Sequence, residues 1–124
     1  MSPAGNTMAP LVAVVDDDPR IRSLLQLELE DEGIEPLIFS SPLELLNAPQ
    51  LAGVQLVLLD LMMPEMDGLS CLRRLRRDGF RGRVVIVSAM CDPGQRQELM
   101  AAGATAFVLK TNLFEALGEL LSGL

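Results

Sequence analysis

Five short apolar runs, each followed by a segment of helical spacing, leave this chain very few folds. LVAVV (11–15), PLIF (36–39), VQLVLL (54–59), RVVIV (83–87) and FVL (107–109) have the length of strands. A run that is apolar at successive positions belongs to a strand covered on both faces. Such strands separated by helices form a parallel sheet with helices on each side. Right-handed crossovers should join them. The expected class is therefore α/β, in one domain, since 124 residues suit a single unit of ordinary size.

The intervening segments carry helix punctuation. Asp18-Pro19 is a helix start with a side-chain cap and a proline in the first turn. Ile21, Leu24, Leu25 and Leu29 then share one side, and Gly33 ends the helix. Ser41-Pro42 opens a short helix with Leu43, Leu45 and Leu46, and Asp67 caps one over 68–77 that buries Leu69, Leu72 and Leu75. Asp92-Pro93 begins a helix running to Gly103, and Asn112 is expected to cap the last, with Leu113, Leu117, Leu120 and Leu121 inward. Residues 1–9, MSPAGNTMA, read as a flexible leader to a domain over 10–124.

Composition removes several function classes. There is no histidine, which excludes Ser-His triads and histidine metal sites. A net charge of −7 argues against direct binding of nucleic acid, which needs basic residues to displace phosphate counterions. No apolar run reaches the ~18–20 residues of a membrane span, and the start lacks a signal peptide's pattern, so a cytoplasmic location is expected. Cys71 and Cys91 are too few for a disulfide framework and read as small buried hydrophobes. With four Phe and no Trp or Tyr, the core must be aliphatic.

The polar residues fall in a pattern. Asp16 and Asp17 follow the first strand, Asp60 the third, Ser88 the fourth and Lys110 the fifth. All five fall at strand C-termini and none within a strand. In an open parallel sheet those ends form the ligand crevice where strand order reverses. Three crowded carboxylates repel one another, and a hard divalent cation with oxygen ligands, Mg²⁺ or Mn²⁺, offsets the repulsion. One carboxylate can then attack phosphorus, giving an aspartyl phosphate, with Lys110 and Ser88 serving the phosphoryl oxygens. Taken singly, Asp16 to Asp18 could equally be a solvated turn, Ser88 a backbone-bonded hydroxyl and Lys110 a surface lysine.

On these residues the chain resembles the receiver domain of bacterial two-component response regulators. Asp16-Asp17 after LVAVV resembles the acidic pair, Asp60 in DLMMPEMDG the phosphoacceptor, and Ser88 in VIVSAM the switch hydroxyl. GATAFVLK places Phe107 at the switch aromatic and Lys110 at the family lysine. The resemblance covers residues ~10–124 and implies a flavodoxin-like (βα)5 doubly wound sheet of order 2-1-3-4-5. It further implies that a histidine kinase or phosphotransfer protein donates to Asp60. Asp16, Asp17, Asp60 and the backbone carbonyl of Met62 would hold Mg²⁺, with Ser88, the backbone of Ala89 and Lys110 on the phosphate. Phosphorylation would remodel the face of the fourth helix, fifth strand and fifth helix, a surface for a homodimer, an output domain or an effector. Such a domain is a switch and not an enzyme.

Two departures stand out. Thr111 replaces the proline usual after the lysine, so a trans bond is expected there. Met62 and Met90 stand, two after Asp60 and two after Ser88, where in the family polar residues help water attack the acyl phosphate, so the resemblance implies a long-lived phosphorylated state. Two alternatives remain at this point. One is a receiver-like interaction module that works without phosphate. The other is a small phosphatase of the haloacid dehalogenase type, with Asp16 and Asp18 as its acids. The arginines at 73, 74, 76, 77, 81 and 83 read as a solvated helix face or a partner-docking patch.

Overall fold

Five strands and five helices alternate along the chain in the computed structural model, which describes residues 10–90 and 92–124. The expected leader at 1–9 and Cys91 lie outside the described residues. The strands are β1 (Val12–Val15), β2 (Leu37–Phe39), β3 (Leu56–Asp60), β4 (Arg83–Ser88) and β5 (Ala106–Leu109). The helices are α1 (Pro19–Asp31), α2 (Pro42–Leu46), α3 (Gly68–Arg77), α4 (Pro93–Ala101) and α5 (Leu113–Leu121). All neighbouring strands pair in parallel, in the order β2-β1-β3-β4-β5, as the resemblance implied.

The side-chain alternation of a strand divides the core in two. Val12 and Val14 of β1, Leu56 and Leu58 of β3, and Val85 and Val87 of β4 pack with Leu25 and Leu29 of α1 and Leu113 and Leu117 of α5. Their neighbours Ala13, Val15, Val57, Leu59, Val84 and Ile86 face Leu45 of α2, Cys71, Leu72 and Leu75 of α3, and Leu99 of α4. Each fully buried leucine contributes roughly 1.5–3 kcal/mol relative to exposure, so both layers hold the sheet firmly. The expected caps form at Asp18, Ser41, Asp67 and Asp92, each accepting from a backbone N–H of the first turn.

Four expectations need correction. Leu24 points to solvent, because the buried stripe of α1 is carried by Leu25 and Leu29, with Ile21 only half-buried. Asn112 makes no capping bond; a 3-10 turn over Lys110–Asn112 runs straight into α5. Asp60 and Ser88 are the last residues of their strands and not residues beyond them. A 3-10 helix at Pro49–Gly53 lies between α2 and β3, where no element was expected. No peptide bond among the described residues is cis, so the bond before Thr111 is trans as anticipated.

The arginine cluster is only partly a solvated face. Arg73 pairs with Glu98 and Arg74 with Asp78, exposed contacts of small energetic weight. Arg76 instead turns inward, donating to the carbonyls of Phe80 (2.9 Å), Gly82 (2.8 Å) and Gly103 (2.9 Å) and covering the Phe80 ring. It ties α3 to the loop before β5. Arg83 likewise donates to the Leu120 carbonyl on α5.

Candidate functional site

The carboxyl ends of the strands collect the polar residues at one edge of the sheet. Asp16 directly follows β1, and Asp60 ends β3 beside it. Ser88 ends β4, one step beyond Val87, the register partner of Asp60. Lys110 directly follows β5. Among the described residues the buried polar side chains are Asp16, Asp60 and Ser88, each 2–3% exposed. A core that otherwise excludes polar groups makes this exception only here.

Asp16 is anchored by its own loop. Its Oδ1 accepts from the Asp18 N–H at 2.9 Å, and its backbone carbonyl accepts from Arg22 Nη1 at 2.7 Å. Arg22, on the first turn of α1, is a site-positioning residue that the sequence reading missed; its only signal is an i+6 spacing from the acid. Asp60 Oδ1 accepts a long bond of 3.4 Å from the Met62 N–H, while Oδ2 is buried with no hydrogen-bond partner. Lys110 Nζ stands 3.3 Å from Asp16 Oδ2 and 3.4 Å from Asp60 Oδ2, an ion-pair approach to both acids. Asp17 is exposed, yet its carboxylate reaches the group: Asp16, Asp17 and Asp60 each offer an oxygen within 4.8 Å of the others.

These placements set the electrostatics. Burial, and then the neighbouring charge of Asp16, push the Asp60 carboxyl up from 3.8 to about 6, against the pull of Lys110. Burial draws the Lys110 ammonium down, but Asp16 and Asp60 together outweigh it and hold the ammonium above its ordinary value. A buried carboxylate with an unpartnered oxygen, beside two further acids, fits a hard divalent cation. The residues present therefore suit Mg²⁺ or Mn²⁺.

The chain leaves β3 by a return loop that fixes Asp60. Leu61 donates to the Val87 carbonyl at 2.9 Å, Glu65 takes a left-handed φ of 70°, and Gly68 donates to the Leu61 carbonyl at 2.8 Å. A Cβ on Gly68 would lie 2.7 Å from the Asp60 carbonyl oxygen and 2.8 Å from Leu61 Cα. Only glycine fits there, which explains the acid-glycine pair at 67–68 that the cap alone did not. Gly68→Ala is expected to lower stability by about 1–3 kcal/mol and to displace the loop. Urea unfolding checks this, and an unchanged midpoint would show that the loop gives way freely.

The remaining expected residues are less convergent. Ser88 Oγ accepts from the Met90 N–H at 3.3 Å, so this hydroxyl is already engaged with its own loop. Ala89 and Met90 are exposed next to it. Phe107 lies inside β5, paired with Ile86 and half-buried, with the Arg96 guanidinium 6.0 Å from its ring centre. It joins the α2-α3-α4 side of the core.

The comparisons with known proteins agree with this fold. A family model described as the response regulator receiver domain matches residues 12–122. The chain is 36% identical over 99 residues to the uncharacterized transcriptional regulatory protein YkoG of Bacillus subtilis, covering 80% of this chain and 43% of that protein. It is 33% identical over 105 residues to the DNA-binding response regulator MtrA of Mycolicibacterium smegmatis, covering 85% and 46%. The chain thus spans less than half the length of these relatives. Among solved structures, chemotaxis protein CheY4 of Vibrio cholerae matches with a TM-score of 0.83 at 27% identity, over 92% of this chain and 97% of that one. The receiver domain of the Francisella response regulator 1452 matches with a TM-score of 0.80 at 28% identity, over 87% and 89%.

Proposed function

The chain belongs to the response regulator receiver domain family, and from that premise we propose that residues 10–124 form a phosphorylation switch with Asp60 as acceptor. The observation that carries this reading is the buried Asp60 Oδ2, free of any hydrogen bond and 3.4 Å from Lys110 Nζ. The donor is a phosphohistidine on a histidine kinase or phosphotransfer protein. An Asp60 oxygen attacks phosphorus, the P–N bond breaks, and the imidazole keeps the bonding pair and takes up a proton.

A divalent cation, held by Asp16, Asp17, Asp60 and the backbone carbonyl of Met62, would supply the positive charge that offsets the crowded acids and the incoming phosphoryl group. Lys110 neutralises a phosphoryl oxygen, and the Ser88 hydroxyl and Ala89 N–H donate to others. Drawing Ser88 away from the Met90 N–H changes the start of the α4 loop, and Phe107 follows from β5. The α4-β5-α5 face then alters its affinity for a partner, whether a second copy, an output unit or an effector. The relatives' names point to transcriptional output, which would lie in another part of a longer protein. This unit itself, at −7, is not the nucleic-acid contact. It acts in the cytoplasm as a switch and turns over no substrate of its own.

Intact mass after incubation with acetyl phosphate and Mg²⁺ tests the reading. The expected result is one phosphoryl adduct that requires metal and is absent from Asp60→Asn. Failure both to form an adduct and to bind beryllofluoride would point instead to an interaction module that works without phosphate. Met62 and Met90 present thioethers, which are poor hydrogen-bond partners for an attacking water. The adduct is accordingly expected to decay over minutes to hours, and loss within seconds in the absence of a phosphatase would refute that expectation.

A further inference from the structure

Met90 and Met62 are the most exposed large hydrophobic side chains among the described residues, at 77% and 69%. Folding gains nothing from apolar groups left in water. Each is nonetheless held at the site through its backbone, Met62 by its N–H on Asp60 Oδ1 and Met90 by its N–H on Ser88 Oγ. Two exposed methionines therefore stand two positions after the buried strand-end residues Asp60 and Ser88.

Among the described residues the other sulfurs are less available or further away. Cys71 is fully buried, and burial pushes its thiol up to about 12, so it offers no reactive thiolate. Met63 and Met66 pack against the core. Met100 is exposed but sits at the far end of α4, away from the strand ends.

We propose that Met62 and Met90 form a peroxide-sensitive modification site that sets how long a phosphoryl group stays on Asp60. The inference rests on the reading of Asp60 as phosphoacceptor. In the oxidation, a thioether lone pair attacks one oxygen of hydrogen peroxide and the O–O bond breaks. The sulfur is oxidised by two electrons to the sulfoxide, and the peroxide is reduced to one water. A thioether accepts hydrogen bonds weakly, whereas a sulfoxide oxygen is a strong acceptor. Placed beside the aspartyl phosphate, that acceptor orients a water whose oxygen attacks phosphorus. The bond from phosphorus to the Asp60 oxygen then breaks. The carboxylate leaves with the electron pair, and both hydrogens of the water stay with the dihydrogen phosphate released. Oxidation thereby converts a persistent signal into a short one, and methionine sulfoxide reductase reverses the change.

The test follows the Asp60 adduct by intact mass, with peptide mapping of sulfoxides, in untreated and hydrogen peroxide-treated protein. Peroxide should oxidise Met62 and Met90 ahead of Met63, Met66 and Met100, and speed phosphoryl loss roughly tenfold, a modest share of what positioned proton acceptors supply. The Met62→Leu/Met90→Leu protein, whatever its own lifetime, should show no change on treatment. Met62→Gln or Met90→Gln should shorten the lifetime without oxidant. An unchanged lifetime with both sulfoxides formed overturns the inference while leaving the phosphoacceptor reading intact. So does equal acceleration in the double Leu protein, or oxidation elsewhere first. No adduct on untreated protein removes both.

Discussion

Asp60→Asn is expected to abolish the phosphoryl adduct and, in the same stroke, to make the metal-free protein more stable. The physical reason is that Asp60 is a strained ion. Its folded-state value of about 6 lies above the ordinary 3.8, so between those values the folded protein binds more protons than the unfolded chain. Stability therefore falls as pH rises through that window, and the full penalty is present above about pH 6. A shift of this size corresponds to about 2–3 kcal/mol. An amide has no charge to desolvate and does not repel Asp16, so the variant escapes the penalty. With EDTA present, urea unfolding should show the Asn protein ahead by that amount at pH 8 and level with wild type near pH 4. Saturating Mg²⁺ should reverse the order, since only wild type keeps all three carboxylates. An Asn variant that is weaker than wild type at pH 8 without metal would mean that Asp60 is not held against its own charge.

The sheet was legible because its signal is one-dimensional. A strand covered on both faces must be apolar at successive positions, as 56–59 is, and the length of each run then bounds the strand. Site residues could be placed for the same reason: a carboxylate ending such a run has nowhere to go but the edge of the sheet. The helix caps were equally local, since Asp18, Ser41, Asp67 and Asp92 each act within three residues of themselves. The strand ends were harder to place. The registers pair Asp60 with Val87 and Ser88 with Leu109, so tertiary pairing decides that those polar residues still count as strand.

What escaped the sequence depends on groups distant along the chain or on backbone proximity. Leu24 has the spacing of a core residue, yet α1 needs only a narrow stripe because α5 covers the neighbouring part of the same face. Asn112 looks like a cap, but the 3-10 turn from Lys110 already satisfies the start of α5. Arg76 reads as solvated from its charged neighbours, although it serves carbonyls as far as 27 positions away. Gly68 is required by the Asp60 carbonyl passing beneath it, and no pattern within 56–69 states how close that carbonyl comes. Residue type identified the chemistry of the site, whereas the loop that aims it was written in approach distances.

Lys110→Met is expected to be the costliest single change at this edge of the sheet. The ammonium is a quarter exposed and stands between two acids that are almost fully buried. Removing it leaves Asp16 and Asp60 facing each other with no cation, and stranding buried charge in this way costs about 2–4 kcal/mol. The pH dependence separates this from a packing defect. Lys110 is held above its ordinary value, so its contribution is complete below about 10.5 and is lost as pH rises through the still higher folded value. At the acid end, Asp60 protonates and the repulsion vanishes. Without the lysine that happens above pH 6, because the one influence pulling Asp60 down most strongly has gone. The deficit should therefore be large at pH 8, small at pH 5, and reduced when Asp60→Asn is introduced beside it. A deficit constant from pH 5 to pH 8, and unaltered by the second substitution, would assign Lys110 to packing rather than charge. The result bears on the switch as well. An ammonium already balanced between two carboxylates can follow a new anion on one of them with little reorganisation, and in the proposed reaction that anion is the phosphoryl group on Asp60.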